Sequence, residues 1–151
     1  MKNAFLITFL LLGFLLHSQA PQWQYRNTPG QASLRGIAAV SAQQCWVSGN
    51  RGSVFRTVDG GQSWQDVSPP GYDSLQFRDI HAWSPREALI LSAGLPAVIL
   101  KTSNGGQSWR ETYRNEQTGV FFDAMDFWDG AHGIAFSDAI DEKILMITTR
   151  R

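Results

Sequence analysis

Along this chain the apolar positions come in short bursts, never in the three-and-four spacing that marks a helix face. Leu34–Ser41, Gln44–Gly49, Ser53–Val58 and Ser63–Val67 form one set of such runs. Phe77–Trp83, Glu87–Ser92, Ala97–Thr102 and Ser108–Tyr113 form a second; Phe121–Trp128, His132–Asp138 and Lys143–Thr149 begin a third. Each run is rich in β-branched and aromatic residues and is bounded by Gly, Pro, Asn or Asp, which is the signature of a short strand. The third run of each set is nearly continuously apolar, as in Val98-Ile99-Leu100 and Ile144-Leu145-Met146-Ile147. A strand that is apolar on both sides is expected between two other layers. The pattern predicts an all-β chain of small sheets packed face to face, with polar links at Gln65–Gln76 and Arg110–Gly119.

A repeat organises these sets. Thr57-Val58-Asp59-Gly60-Gly61-Gln62-Ser63-Trp64-Gln65 returns 45 residues later as Thr102-Ser103-Asn104-Gly105-Gly106-Gln107-Ser108-Trp109-Arg110. A period of that length with short strands points to propeller blades. The blade-like units span about 34–67, 77–113 and 121–149, so the sequence predicts two complete four-stranded blades and most of a third within a domain over 21–151. In each copy Asp59 or Asn104 is expected to accept backbone N–H groups within the turn. The Gly pairs supply positive φ for a tight hairpin, and Trp64 or Trp109 anchors the following strand in the core.

The two ends of the repeat array are incomplete. Trp23-Gln24-Tyr25-Arg26 precedes the first unit as Trp64 and Trp109 precede the second and third, so residues 23–26 read as a closing fourth strand whose own blade is missing. The third unit reaches Thr148-Thr149 where the next copy of the motif is due. Closed propellers need about four to eight blades. The chain is therefore expected to be an N-terminal fragment of a longer propeller, with exposed blade faces that favour self-association or aggregation.

The motif resembles the Asp-box, or bacterial neuraminidase repeat. Thr57, Asp59, Gly61, Ser63 and Trp64 match it in the first copy; Thr102, Gly106, Ser108 and Trp109 match it in the second, where Asn104 replaces the acid. With the flanking Ser33-Leu34-Arg35-Gly36-Ile37, Cys45-Trp46-Val47-Ser48-Gly49 and Gly52-Ser53-Val54-Phe55-Arg56-Thr57, the chain from about Trp23 to Thr149 resembles the photosystem II assembly-factor-like propeller repeat family. The resemblance implies a binding or complex-assembly role with a protein partner, structural Asp-boxes on the outer rim, and no catalysis from this chain. The alternative it leaves open is the N-terminal part of an extracellular sialidase-like or other glycoside hydrolase propeller, with a carbohydrate ligand.

The N-terminus changes the picture of where the protein works. Lys2, the apolar run Ala4–Leu16 and the small-x-small segment Ser18-Gln19-Ala20 read as a signal peptide over residues 1–20. The mature chain is then expected in the periplasm or outside the cell, with no membrane anchor after signal removal. Thirteen basic residues balance thirteen acidic ones, which gives no support for nucleic acid as a partner. Cys45 is the single cysteine, so no internal disulfide forms, and its strand-like setting suits a buried, inert thiol.

Candidate chemistry is sparse. First strands line the channel of a propeller, and Arg35, Arg78 and Asp123 occupy equivalent places there, two residues before Ile37, Ile80 and Met125. With Arg51 and Arg56 they are candidates for a patch that binds an anionic group or a partner protein, because Arg suits bidentate recognition of carboxylates. Asp123, Asp126 and Asp129 lack the alternating acids of a calcium loop, and Asp129-Gly130 suits a turn. No cofactor, metal site or catalytic residue is expected.

Overall fold

The computed structural model describes residues 20, 22–141 and 143–149. The expected signal peptide lies outside these residues except for Ala20. Every regular element described is a strand: β1 (Leu34–Ala39), β2 (Cys45–Gly49), β3 (Val54–Thr57), β4 (Gln65–Asp66), β5 (Gln76–Ala82), β6 (Ala88–Ala93), β7 (Ala97–Thr102), β8 (Arg110–Asn115), β9 (Phe122–Phe127), β10 (Gly133–Ile140) and β11 (Lys143–Thr149). They form three antiparallel sheets ordered β1-β2-β3-β4, β5-β6-β7-β8 and β9-β10-β11. The fold is a partial β-propeller.

The ladders fix which residues are equivalent. Ile37 faces Val47, Ile80 faces Ile90 and Met125 faces Ala135 across the first and second strands of the three blades. First strands of neighbouring blades lie side by side, while the third and fourth strands splay apart. Gly36 sits so close to β5 that a Cβ there would lie 2.9 Å from the Asp79 backbone, so a side chain would separate the first two blades.

Burial follows from this stacking. The core between blades one and two gathers Trp46 and Val54 from one side and Phe77, Ile80, Ile90 and Leu100 from the other. The next core gathers Leu89, Leu91 and Ala97 against Val120, Phe122 and Met125. All six residues of β6 are buried, because alternate side chains enter opposite cores.

Residues 22–29 carry no ladder, and Trp23 and Tyr25 are fully open to solvent. Arg26 nevertheless rests on blade one, its Cγ 3.7 Å from where a Gly61 Cβ would be. Val67 of the first blade crowds Gly106 of the second in the corresponding place. The segment thus lies where a preceding blade would put its outer strand.

Candidate functional site

The two Asp-boxes show how a turn of this kind is held. In the first, Asp59 Oδ1 accepts from the Ser63 amide at 2.9 Å and from the Thr57 hydroxyl at 2.8 Å, while Oδ2 accepts from the Ser63 hydroxyl at 2.5 Å. Thr57 Oγ1 in turn accepts from the Gly61 amide at 2.9 Å. These bonds, from Ser63 first, bring the Asp59 carboxyl down to about 2. In the second box Asn104 Oδ1 accepts from the Ser108 amide at 3.0 Å and from the Thr102 hydroxyl at 3.0 Å, and Thr102 Oγ1 accepts from the Gly106 amide at 2.9 Å. Only one bond reverses: Asn104 Nδ2 donates to Ser108 Oγ at 2.8 Å. The acid or amide therefore reaches four residues on, not the two of a simple Asx turn, because a threonine hydroxyl fills the inside of the loop. Every oxygen of the network is used within the turn, which suits a structural part.

The two anchoring tryptophans differ. Trp109 packs edge-on against Trp46 with centroids 6.3 Å apart and donates its Nε1–H to the Val67 carbonyl at 2.8 Å. Trp64 Nε1 is buried with no such acceptor. The expectation of equivalent environments is corrected here: the acceptor belongs to the neighbouring blade, and Trp64 has only the ladderless segment 22–29 on that side.

The opposite end of the blades carries the candidate binding residues. Arg35 opens β1, Arg51 sits at the tip of the β2–β3 hairpin with φ 56°, and both are exposed. Arg78 opens β5, pairs through Nε with Asp123 Oδ1 at 3.0 Å and lies over the Phe121 ring at 5.1 Å. Burial, then the neighbouring Asp138 carboxylate, pushes the Asp123 carboxyl up, and Arg78 opposes the rise. One neighbour on this rim was missed. Asp79 Oδ2 accepts from the Met125 amide at 2.8 Å and Oδ1 from its own following amide, Ile80 N–H, also at 2.8 Å, tying blade two to blade three beside the rim. Burial raises its carboxyl in spite of these two bonds.

Arg56 does not belong with these residues. It lies on a third strand beside the Asp-box end, over the Trp46 ring at 5.4 Å, and donates to the Pro85 carbonyl and to Gln65 at 2.8 Å each. Alternation along a strand tells which side a residue faces but not how far its strand stands from the axis, and that is why the sequence grouped Arg56 with the rim.

Three comparisons bear on this arrangement. The profile of the family described as Photosynthesis system II assembly factor YCF48 matches residues 16–119, more than half of the chain. The chain belongs to this family. Among solved structures it is similar to one described as YCF48 bound to D1 peptide, with a TM-score of 0.66 and 17% identity over 87% of this chain and 43% of that one. It is also similar to YCF48 from Cyanidioschyzon merolae, with a TM-score of 0.63 and 18% identity over 82% of this chain and 38% of that one. The chain thus spans less than half the length of either structure, and the likeness concerns the fold. No curated protein sequence matches.

The remaining titratable groups serve the fold. Asp129 Oδ1 caps the Ala131 and His132 amides at 2.6 and 2.7 Å. His81 is wedged between Trp83 and Phe127, and burial lowers its pKa against the pull of Asp126. Cys45 is half-buried, and burial pushes its thiol up. Among the described residues no three His, Cys, Asp or Glu side chains stand close enough to share a metal ion.

Proposed function

We propose that this chain is an exported propeller unit whose first-strand rim holds a segment of a partner protein during assembly of a complex, without catalysing a reaction. The observation that carries this reading is the placement of Arg35, Arg51 and Arg78 at one end of the blades, two of them exposed and the third already holding a carboxylate, Asp123. A guanidinium donates two parallel N–H bonds to a carboxylate and stacks on aromatic rings, as Arg78 does on Phe121. A peptide carrying acidic side chains or a free C-terminal carboxylate has the matching chemistry. Family membership and the related structure, whose description names a D1 peptide, support a peptide as the ligand class.

The experiment is a titration of the full chain with fluorescein-labelled acidic and basic decapeptides, each with a free and an amidated C-terminus. The acidic peptides should bind, and Arg35→Ala with Arg51→Ala should weaken them at least tenfold and flatten the dependence on salt. Equal binding of basic peptides, or unchanged affinity in the double variant, overturns the reading. Export is tested separately by mass spectrometry of the protein recovered outside the cytoplasm; a product that retains Met1 there argues against a cleaved leader.

A further inference from the structure

The seat that Trp109 occupies between the first two blades has a counterpart between the second and third, and the geometry points to residues 22–26 of a second copy of this chain as its occupant. Trp109 lies on Trp46 and donates to the Val67 carbonyl. The ladders place Leu89 where Trp46 is, since Trp46 pairs with Arg56 and Leu89 with Lys101. Thr112 follows Trp109 by the same three residues that separate Val67 from Trp64. Leu89 and Thr112, with Phe127 and Thr149, line two adjoining grooves of about 410 and 320 Å³ between blades two and three. Beside them β11 carries a ladder on one side only among the described residues.

The same chain displays the matching insert. Trp23 and Tyr25 stand fully exposed on an extended segment that forms no ladder, and Arg26 already lies against blade one as Val67 lies against blade two. Strand addition to an open sheet edge supplies main-chain hydrogen bonds, and a side-chain pocket sets the register. Arg56 pairs with Gln65 and Lys101 with Arg110, the residues that follow Trp64 and Trp109. Thr148 is the equivalent of Lys101 through its pairing with Ile134, so Gln24 falls opposite Thr148 and Trp23 enters the groove. The outward face of blade three supports a head-to-tail contact. Phe136 and Met146 are 42% and 62% exposed there, whereas Leu91, equivalent to Phe136, is fully covered by the next blade. Ile37 of blade one, equivalent to the buried Ile80 and Met125, is 71% exposed on the complementary side. Seat and insert sit on opposite faces of one chain, so the contact is heterologous and each copy offers one of each.

The test is light scattering on the full chain after size exclusion, at about 10 and 100 μM, with two variants at exposed positions. Trp23→Ala removes the insert and Thr112→Trp plugs the seat. The wild type should elute as a dimer or larger species, and each variant as a monomer with at least a tenfold weaker self-association and an unchanged circular dichroism spectrum. A one-to-one mixture of the variants should regain the mass of a dimer and no more, because one intact seat then meets one intact insert. A monomeric wild type, variants that still associate, or a mixture that stays monomeric each overturns the proposal.

Discussion

Trp109 donates its indole N–H to the Val67 carbonyl across the gap between two blades, at 2.8 Å. One side chain thereby closes its own blade and fastens the outer strand of the blade before it. Trp64, at the same point of the repeat, buries its Nε1 without that partner. Replacing Trp109 by Ala is expected to cost about 3 kcal/mol through lost packing on Trp46 and an unpaired carbonyl. Trp64→Ala should cost clearly less. Urea melts of the two variants, followed by circular dichroism, check the order; equal losses would mean that the neighbouring blade contributes nothing.

Asp59 predicts a pH dependence with a definite sign. Its folded pKa of about 2 lies below the ordinary value of 3.8, so the carboxylate form is favoured by folding. That contribution is complete above about pH 4 and fades as the pH falls through 2. Asp59→Asn should remove the slope over this window and change little at pH 7, because Asn104 already holds the second box with the same bonds. Urea midpoints at pH 2, 3, 4 and 7 measure it.

Asp79 should behave in the opposite sense. Burial raises its carboxyl, so folding favours the protonated form; its contribution is fullest below its unfolded value and declines as the pH rises through the folded one. Asp79→Ala leaves the buried Met125 amide without its acceptor and should cost about 1–3 kcal/mol. Asp79→Asn keeps an acceptor oxygen, should cost less than Ala, and should abolish the pH dependence. Thermal melts of both variants at pH 5 and 8 separate the two effects.

Hydrogen exchange should rank the strands. β6 is buried on both faces and bonded on both edges, so its amides are expected to exchange slowest, while those of β4 and β11, at sheet edges, exchange first. Mass spectrometry of peptides after deuterium labelling gives the order, and early exchange in β6 would contradict the two-core arrangement.

The repeat made the blades legible because Thr57, Gly61 and Trp64 recur as Thr102, Gly106 and Trp109 at a fixed interval, and a recurrent turn leaves a recurrent composition. Gly106 shows why the glycine is needed: its φ is 84°, and Val67 would stand 2.6 Å from a Cβ there. What the sequence hid was spatial. Asp79 has Gly36 and Ala124 as its counterparts, so no repetition marks it, and its bond to Met125 arises only when two first strands come together. Arg56 looked like one more basic residue among four because its distance from the axis is a property of strand order, which a list of short strands does not disclose. The threonine hydroxyls were visible as a pattern, but their place inside the turn depends on three bonds meeting at one atom or its neighbour.

β6 is a party wall. Ile90 looks into one room, Leu89 and Leu91 into the other, and no residue of the strand belongs to a single tenant. A substitution there is felt on both sides at once, so the middle blade cannot be exchanged for a homologous one as a free-standing cassette. A graft has to carry the lining of both neighbours with it, and the chain inherits its blades in overlapping pairs.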